Sequence, residues 1–324
     1  MRWLVRPSRA LGVAGAVTLL WMHPSTAQQL PVTPARVAAV DAQRLYAGAC
    51  ATCHGRLGDG NGPSSARLGT PQPRDFTAGM YKFRSTPTGS LPTDDDIYRT
   101  ISRGVPGTWM PRWEAHLSPA QRWALVRYIK EFSDFFAEED PDPSVEVPPE
   151  PRVMPEMIQE GRWVYALLKC RQCHGPLGRG DGPSAADLTD DWDRKIVPYD
   201  FTRGDYKAGL SPSDVYRTLV TGLDGTPMPA FEATIVAFPG GRDADVESAR
   251  EVLDATELRE LRAYLAGQPT EDALPAMPEA DRAQLVQRRL WALVYYLRSL
   301  GRGKGAFYWL FGENPELQTG AGGR

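Results

Sequence analysis

The chain of 324 residues has no apolar run of the roughly 20 residues that a membrane-spanning helix needs. Its one candidate, from position 10 to about 22, follows three arginines and precedes the small residues Ser25 and Ala27. This order predicts a secretory signal peptide, residues 1–27, cleaved after Ala27, and a periplasmic protein exported across the inner membrane. An uncleaved membrane anchor is the alternative.

The sequence also lacks an excess of positive charge. The first 27 residues carry three of the 37 basic side chains and none of the 40 acidic ones, so the mature chain is mildly acidic. Nucleic acid is excluded as a partner, because its affinity comes mainly from basic side chains that meet phosphates. About 300 mature residues are enough for two domains.

Alternation of apolar and polar residues, the mark of a half-buried strand, is scarce, and the regular segments of each copy are predicted to be helical. Capping-box sequences at Thr93, Ser118 and Ser211 mark helix starts, and Pro119 occupies the first position of the second helix. The glycine- and proline-rich segments after Cys53 and Cys173 are predicted loops.

Cysteine and histidine are rare, and one pattern uses most of them. All four cysteines and two of the four histidines lie in two C-x-x-C-H motifs: Cys50, Cys53 and His54; Cys170, Cys173 and His174. A redox-active disulfide and a four-cysteine zinc site are alternatives for exported paired cysteines. Neither explains a histidine after both second cysteines, whereas covalent haem attachment with histidine as an iron ligand does.

The surroundings of the two motifs repeat as well. "CHGRLGDGNGPSSA" matches "CHGPLGRGDGPSAA", "RDFTAGMYK" matches "YDFTRGDYK", and "GTWMPRWEA" matches "GTPMPAFEA". The period of about 120 residues makes each copy a domain. The predicted domains are residues 28–140 and 154–300, joined by an acidic, proline-rich linker at 141–153 that has no regular structure.

The second copy is longer than the first. "RWALVRYIKEF" pairs best with "LWALVYYLRSL", which leaves an insertion at about 236–285. Within it, Leu258, Leu261 and Leu265 share one helical face before Gly267, so an extra helix is predicted on the second domain. The tail, residues 301–324, is expected to fold against that domain through its aromatic residues.

A second iron ligand is predicted in each copy. Met110 lies 56 residues after His54 and Met228 lies 54 after His174, and both are followed by proline. A thioether is a suitable sixth haem ligand. His116, the alternative, has no equivalent in the second copy.

Other residues are assigned around the predicted haems. The carbonyls of Pro63 and Pro183 are predicted to accept the second ring proton of each histidine. Five cations are candidates to pair with haem propionates, although surface charge is the more ordinary role for each: Arg74, Lys82, Arg84, Arg99 and Arg217.

On these motifs the chain resembles two class I cytochrome c domains in tandem, from about residue 35 to 300 apart from the linker and the insertion. The resemblance implies an all-α fold in which helices wrap around one covalently bound haem in each copy. It also implies single-electron transfer between redox protein partners, among them membrane-bound respiratory complexes. Catalytic residues are not expected.

Two other functions stay open at this point. The first is a di-haem redox enzyme, either a peroxidase or a protein similar to thiosulfate dehydrogenase. A peroxidase needs one iron that can lose its sixth ligand and bind substrate, and the matching positions of Met110 and Met228 argue against such a difference. The second is a membrane-anchored di-haem subunit of a terminal oxidase, which requires an uncleaved leader.

Overall fold

The computed structural model describes residues 41–69, 71–236, 242–250 and 253–301. Within these ranges the regular structure is helical, with one isolated bridge between Thr189 and Lys195 and no β-strand. The first copy contains α1 Ala42–Ala49, α2 Ala51–His54, α3 Asp94–Arg103, α4 Pro119–Lys130 and α5 Phe135–Glu138. The second contains α6 Pro155–Leu167, α7 Arg171–His174, α8 Pro212–Thr221, α9 Arg242–Ala249, α10 Ala255–Ala266 and α11 Glu279–Ser299.

The predicted helix starts are confirmed. Thr93, Ser118 and Ser211 cap α3, α4 and α8, and in each case the side chain of the third helical residue returns a bond to the backbone of the cap. Such a cap satisfies backbone N–H groups that have no partner inside the helix and is worth about 1 kcal/mol.

The two copies have matching cores. In the first, α1 packs on α4, with Tyr46, Leu125 and Ile129 buried between them. In the second, α6 packs on α11, where Val164 and Leu293 are fully buried. The sequence pairing of the last helix of each copy therefore corresponds to the same packing role.

The insertion contains the predicted extra helix. α10 ends before Gly267, and its Leu261 and Leu265 are buried against α6 and α9. Tyr264 and Arg288 both donate to Glu160 of α6, at 2.7 and 2.9 Å. α11 begins at Glu279, inside the predicted insertion, so the last helix is longer than its counterpart α4.

The linker has no helix or strand, as predicted, and it lies against both copies. The Val145 N–H donates to the Ser85 carbonyl at 2.7 Å, and the Tyr295 hydroxyl donates to Glu150 at 2.7 Å. These contacts make the linker part of the packed structure.

The copies also touch directly, and the described residues belong to one compact unit. Arg84 of the first copy pairs with Asp224 of the second at 2.7 Å. Trp192, in a loop of the second copy, packs under the guanidinium of Arg74, whose central carbon lies 4.9 Å from the ring centroid.

Among the described helices, none is long and apolar enough to cross a membrane. The predicted signal peptide and the aromatic tail residues Phe307, Tyr308, Trp309 and Phe311 lie outside the described residues.

Candidate functional site

The histidine of each C-x-x-C-H motif is fixed by a backbone carbonyl. His54, at the end of α2, has its Nδ1 3.1 Å from the Arg74 carbonyl, and His174, at the end of α7, has its Nδ1 3.0 Å from the Tyr199 carbonyl. Since a carbonyl can only accept, Nδ1 carries the proton and Nε2 is left free to bind a metal. Burial lowers the pKa of both imidazoles and outweighs the opposite effect of the carbonyl bond.

The prediction that Pro63 and Pro183 supply these carbonyls is wrong. The loop after each motif folds back on the motif itself: the Gly62 N–H donates to the Cys53 carbonyl at 3.1 Å, and the Gly182 N–H donates to the Cys173 carbonyl at 3.2 Å. This bonding ties the glycine–proline segment to the motif's own backbone. The carbonyl that faces each Nδ1 belongs instead to the residue just before the repeated D-F-T, Arg74 or Tyr199.

In each copy one aromatic contact, which sequence reasoning missed, holds the motif in place. Phe76 stacks on His54 with ring centroids 4.6 Å apart, and Phe201 stacks on His174 at 4.4 Å. The signal was available in the repeated "DFT" of the two copies, because a buried aromatic at the same place in both suggests a shared packing role.

A buried tyrosine in each copy anchors the turn that follows the motif histidine. Tyr46 donates to the Gly55 carbonyl at 2.8 Å, and Tyr165 donates to the Gly175 carbonyl at 2.6 Å, so the turn after each histidine is anchored to the preceding helix. The second copy has one extra residue before its motif, which Lys169 accommodates at φ 56°. That offset hides the match between the two tyrosines in a direct alignment.

The four cysteines, Cys50, Cys53, Cys170 and Cys173, are free thiols that line the same cavity as the histidines. Burial raises the pKa of Cys50 and of Cys170 to about 12. Thiols of redox-active C-x-x-C motifs have lowered pKa values, so these two do not fit that alternative. Nor do three His, Cys, Asp or Glu side chains converge on a metal site anywhere in the described ranges.

Both predicted methionines lie in loops of the same design. The Val105 N–H donates to the Met110 carbonyl and the Leu223 N–H donates to the Met228 carbonyl, each at 3.1 Å. His116 is not among the residues that line the cavity, whereas both methionines are.

A glycine at the end of the preceding helix allows each methionine loop to approach. Gly104, at φ 65°, ends α3, and a Cβ there would lie 2.6 Å from the Met110 carbonyl oxygen. Gly222, at φ 63°, ends α8, and a Cβ there would lie 3.0 Å from the Met228 carbonyl oxygen. Any residue larger than glycine at these two positions would push the methionine loops away from the helices.

One cavity of about 470 Å³ joins the two sites. It is lined by eight of the ten predicted site residues: Cys50, Cys53, His54, Met110, Cys170, Cys173, His174 and Met228. Pro63 and Pro183 are outside this lining. Sequence reasoning placed one site in each copy and did not anticipate that the sites face a shared space.

The candidate cations divide into two groups. Arg84, Arg99 and Arg217 are paired with aspartates of the protein, Asp224, Asp96 and Asp214 respectively. Arg74 and Lys82 line the cavity, as does Lys207, the counterpart of Lys82 in the second copy.

The comparisons with known proteins point to cytochrome c domains and to a multi-protein redox complex. A family model described as cytochrome c oxidase, cbb3-type, subunit III matches residues 37–129, which hold the first copy. A chain of the Kuenenia stuttgartiensis reducing HAO-like protein complex is 39% identical, covers 81% of this chain and 96% of its own length, and superposes with a TM-score of 0.62. No curated protein matches the chain.

Proposed function

Because the chain belongs to the cytochrome c family, we propose that it is an exported di-haem cytochrome that transfers single electrons between redox protein partners. The observation that carries this proposal is the repeated constellation: in each copy two free thiols, a histidine with Nδ1 tied to a carbonyl, and a methionine all line one cavity.

The donor set fits a covalently held haem in each copy. Two thiols three positions apart suit attachment to the edge of the macrocycle, and the histidine that follows is held with Nε2 free. A haem bound by histidine and methionine supplies an iron that cycles between ferrous and ferric states at a raised potential. Phe76, Phe201 and the anchoring tyrosines keep the two histidines in position.

Two features favour a carrier over an enzyme. Each copy has a methionine on the same cavity as its histidine, which makes a sixth ligand available for both irons. The residues that fix each histidine are equivalent in the two copies, whereas a di-haem peroxidase needs one site that differs.

A second candidate role is suggested by the neighbour of known structure. That chain belongs to a reducing HAO-like protein complex, and the present chain matches 96% of its length. An electron-transfer subunit within a multi-protein redox complex therefore fits the same site. The distinction is testable by isolating the native protein under mild conditions and measuring its mass in solution.

The haem count tests the main proposal. Haem staining after denaturing electrophoresis, with a pyridine haemochrome assay, should give two haems per exported chain, and Cys170→Ala combined with Cys173→Ala should leave one. A single haem in the unaltered chain would contradict the di-haem proposal. The same preparation should show negligible peroxide turnover and thiosulfate oxidation, and substantial turnover of either would favour the enzyme.

Export has its own test. Periplasmic fractionation should recover the protein, and N-terminal sequencing should begin after Ala27. An intact leader on a membrane-bound protein would favour the anchored alternative.

A further inference from the structure

Two equivalent lysines, one from each copy, lie on the wall of the shared cavity. Lys82 ends the segment that begins at Arg74, and Lys207 ends the matching segment that begins at Tyr199. Lys82, Lys207 and Arg74 all line the cavity, and each is half-buried. The internal repeat therefore brings two copies of one cationic position, with an extra arginine beside them, to the junction of the two sites.

The positive charges of these three side chains repel one another. Burial lowers the pKa of Lys82 to about 8, and the charges of Arg74 and Lys207 act in the same direction, against the attraction of Asp190. Burial also lowers the pKa of Lys207. Cations that are partly withdrawn from water and close enough to repel one another need anions nearby.

The protein's own carboxylates do not meet this need at Lys82. Within the described part of the chain, no carboxylate is within ion-pair distance of either Lys82 or Lys207. Asp190, which attracts Lys82, already accepts from the backbone N–H groups of Trp192 and Arg194 at 3.1 and 3.0 Å.

The same holds at Lys207. Its attracting carboxylate, Asp205, accepts from the Tyr199 hydroxyl at 2.6 Å and from the Arg203 guanidinium at 2.9 Å. Both oxygens of Asp205 therefore have other partners, and the guanidinium of Arg203 offsets its negative charge.

A small pocket next to Lys82 brings three further cations to the junction, although Arg84, Arg99 and Arg217 are each paired with an aspartate. It has a volume of about 10 Å³ and lies between the copies, lined among others by Lys82, Arg84, Arg99 and Arg217. Asp214 is the one carboxylate among its lining residues.

We infer that Lys82 and Lys207, with Arg74 beside them, form one anion-binding site at the junction of the copies, and that it holds propionate carboxylates of both haems. The inference rests on the proposed function, because each attached haem brings two carboxylates into the cavity these cations line. It departs from the expectation that Lys82 and Arg74 are ordinary surface charges. Since the lysines face one space, each contributes its charge to both haems.

Redox titration of the exported, haem-loaded chain tests the site. Lys82→Gln and Lys207→Gln should each lower both midpoint potentials, because removing a positive charge favours the more positively charged ferric iron. Lys82→Arg should keep both potentials near those of the unaltered chain. Lys195→Gln, which removes an exposed lysine outside the cavity lining, is the matched control and should change neither.

The haem count and the far-red absorption band are measured on the same samples, so a failure of this inference is separate from a failure of the proposed function. Unchanged potentials, or a shift in one potential only, with two haems retained, would overturn the shared site. Should Lys82→Gln not mature, Lys207→Gln carries the test from the other copy.

A diffusible anion is the other source of the same chemistry. At constant ionic strength, replacing chloride by inorganic phosphate should leave both potentials of the unaltered chain unchanged if propionates fill the site. A phosphate-dependent shift that Lys82→Gln abolishes would overturn the inference, because the cations would then be open to free anions.

Discussion

The side chain of Arg84 is fully buried between the two copies, where it pairs with Asp224 at 2.7 Å. The same guanidinium donates to the Thr221 carbonyl of the second copy at 2.7 Å and to the Pro87 carbonyl of the first at 3.1 Å. Asp224 in turn accepts from the Gly89 N–H at 2.9 Å. This contact makes the stability of each copy depend on the other, although the sequence divides them with a proline-rich linker.

Asp224→Ala should therefore destabilise the whole chain. It leaves Arg84 buried without its counter-charge, and breaking a buried ion pair in this way costs about 3 kcal/mol or more. Urea unfolding of the haem-loaded protein measures the loss. Glu114→Ala is the control, because its pair with Arg112 is exposed and should leave the unfolding midpoint unchanged. A loss at Asp224 no larger than at Glu114 would contradict the role of this contact.

Met110→Ala and Met228→Ala should each remove one thioether ligand. A histidine–methionine iron is low-spin with a weak far-red sulfur-to-iron band, so each variant should lose about half of that band and show one lowered potential. Met80→Ala, at a methionine without a counterpart in the other copy, is the control. An unaltered chain without the band would contradict both assignments.

Gly104→Ala should displace the Met110 backbone while it leaves the Met110 side chain unchanged. At φ 65° a side chain is strained by about 1–3 kcal/mol, and its Cβ would lie 2.5 Å from the Pro111 carbonyl. The loop must then move, which should weaken the far-red band of the first haem. Gly89→Ala also has a positive φ but no atom within 4 Å of its Cβ, so it controls for backbone strain alone. Equal spectra for the two variants would contradict steric support of Met110 by Gly104.

The contribution of Asp214 to stability should depend on pH. Burial would raise the pKa of this carboxyl, but bonds from Ser211 and the charges of Arg103 and Arg217 outweigh it and hold the pKa below its ordinary value of 3.8. The stabilisation is therefore complete above about pH 5 and is lost as the pH falls through the lowered pKa.

Urea unfolding of the unaltered chain and of Asp214→Asn across this range measures the effect. The difference in unfolding free energy between the two should shrink as the pH falls below about 4. Glu131→Gln, an exposed acid at the end of α4, is the control. A difference that stays constant with pH would show that Asp214 acts through its shape and not its charge.

The sequence by itself determined the helices and the chemistry of the ligands. Capping boxes at Thr93, Ser118 and Ser211 predicted helix starts because a cap is made by residues three positions apart. The C-x-x-C-H motifs placed thiols and histidine together for the same local reason, and repetition distinguished Met110 and Met228 from the other methionines.

The tertiary structure decided the contacts between residues that are far apart in the sequence. The acceptors of the two histidines were assigned wrongly from sequence, because every residue has a backbone carbonyl and neither Arg74 nor Tyr199 is marked by its side chain as the partner. The pairing of Arg84 with Asp224 spans 140 positions, and no periodicity encodes such a contact. The shared cavity likewise depends on the packing of the two copies, and both Lys82 and Lys207 line it. Local sequence patterns therefore determine the helices and ligand motifs within each copy. The ion pair and the cavity between the copies depend on how one copy packs on the other.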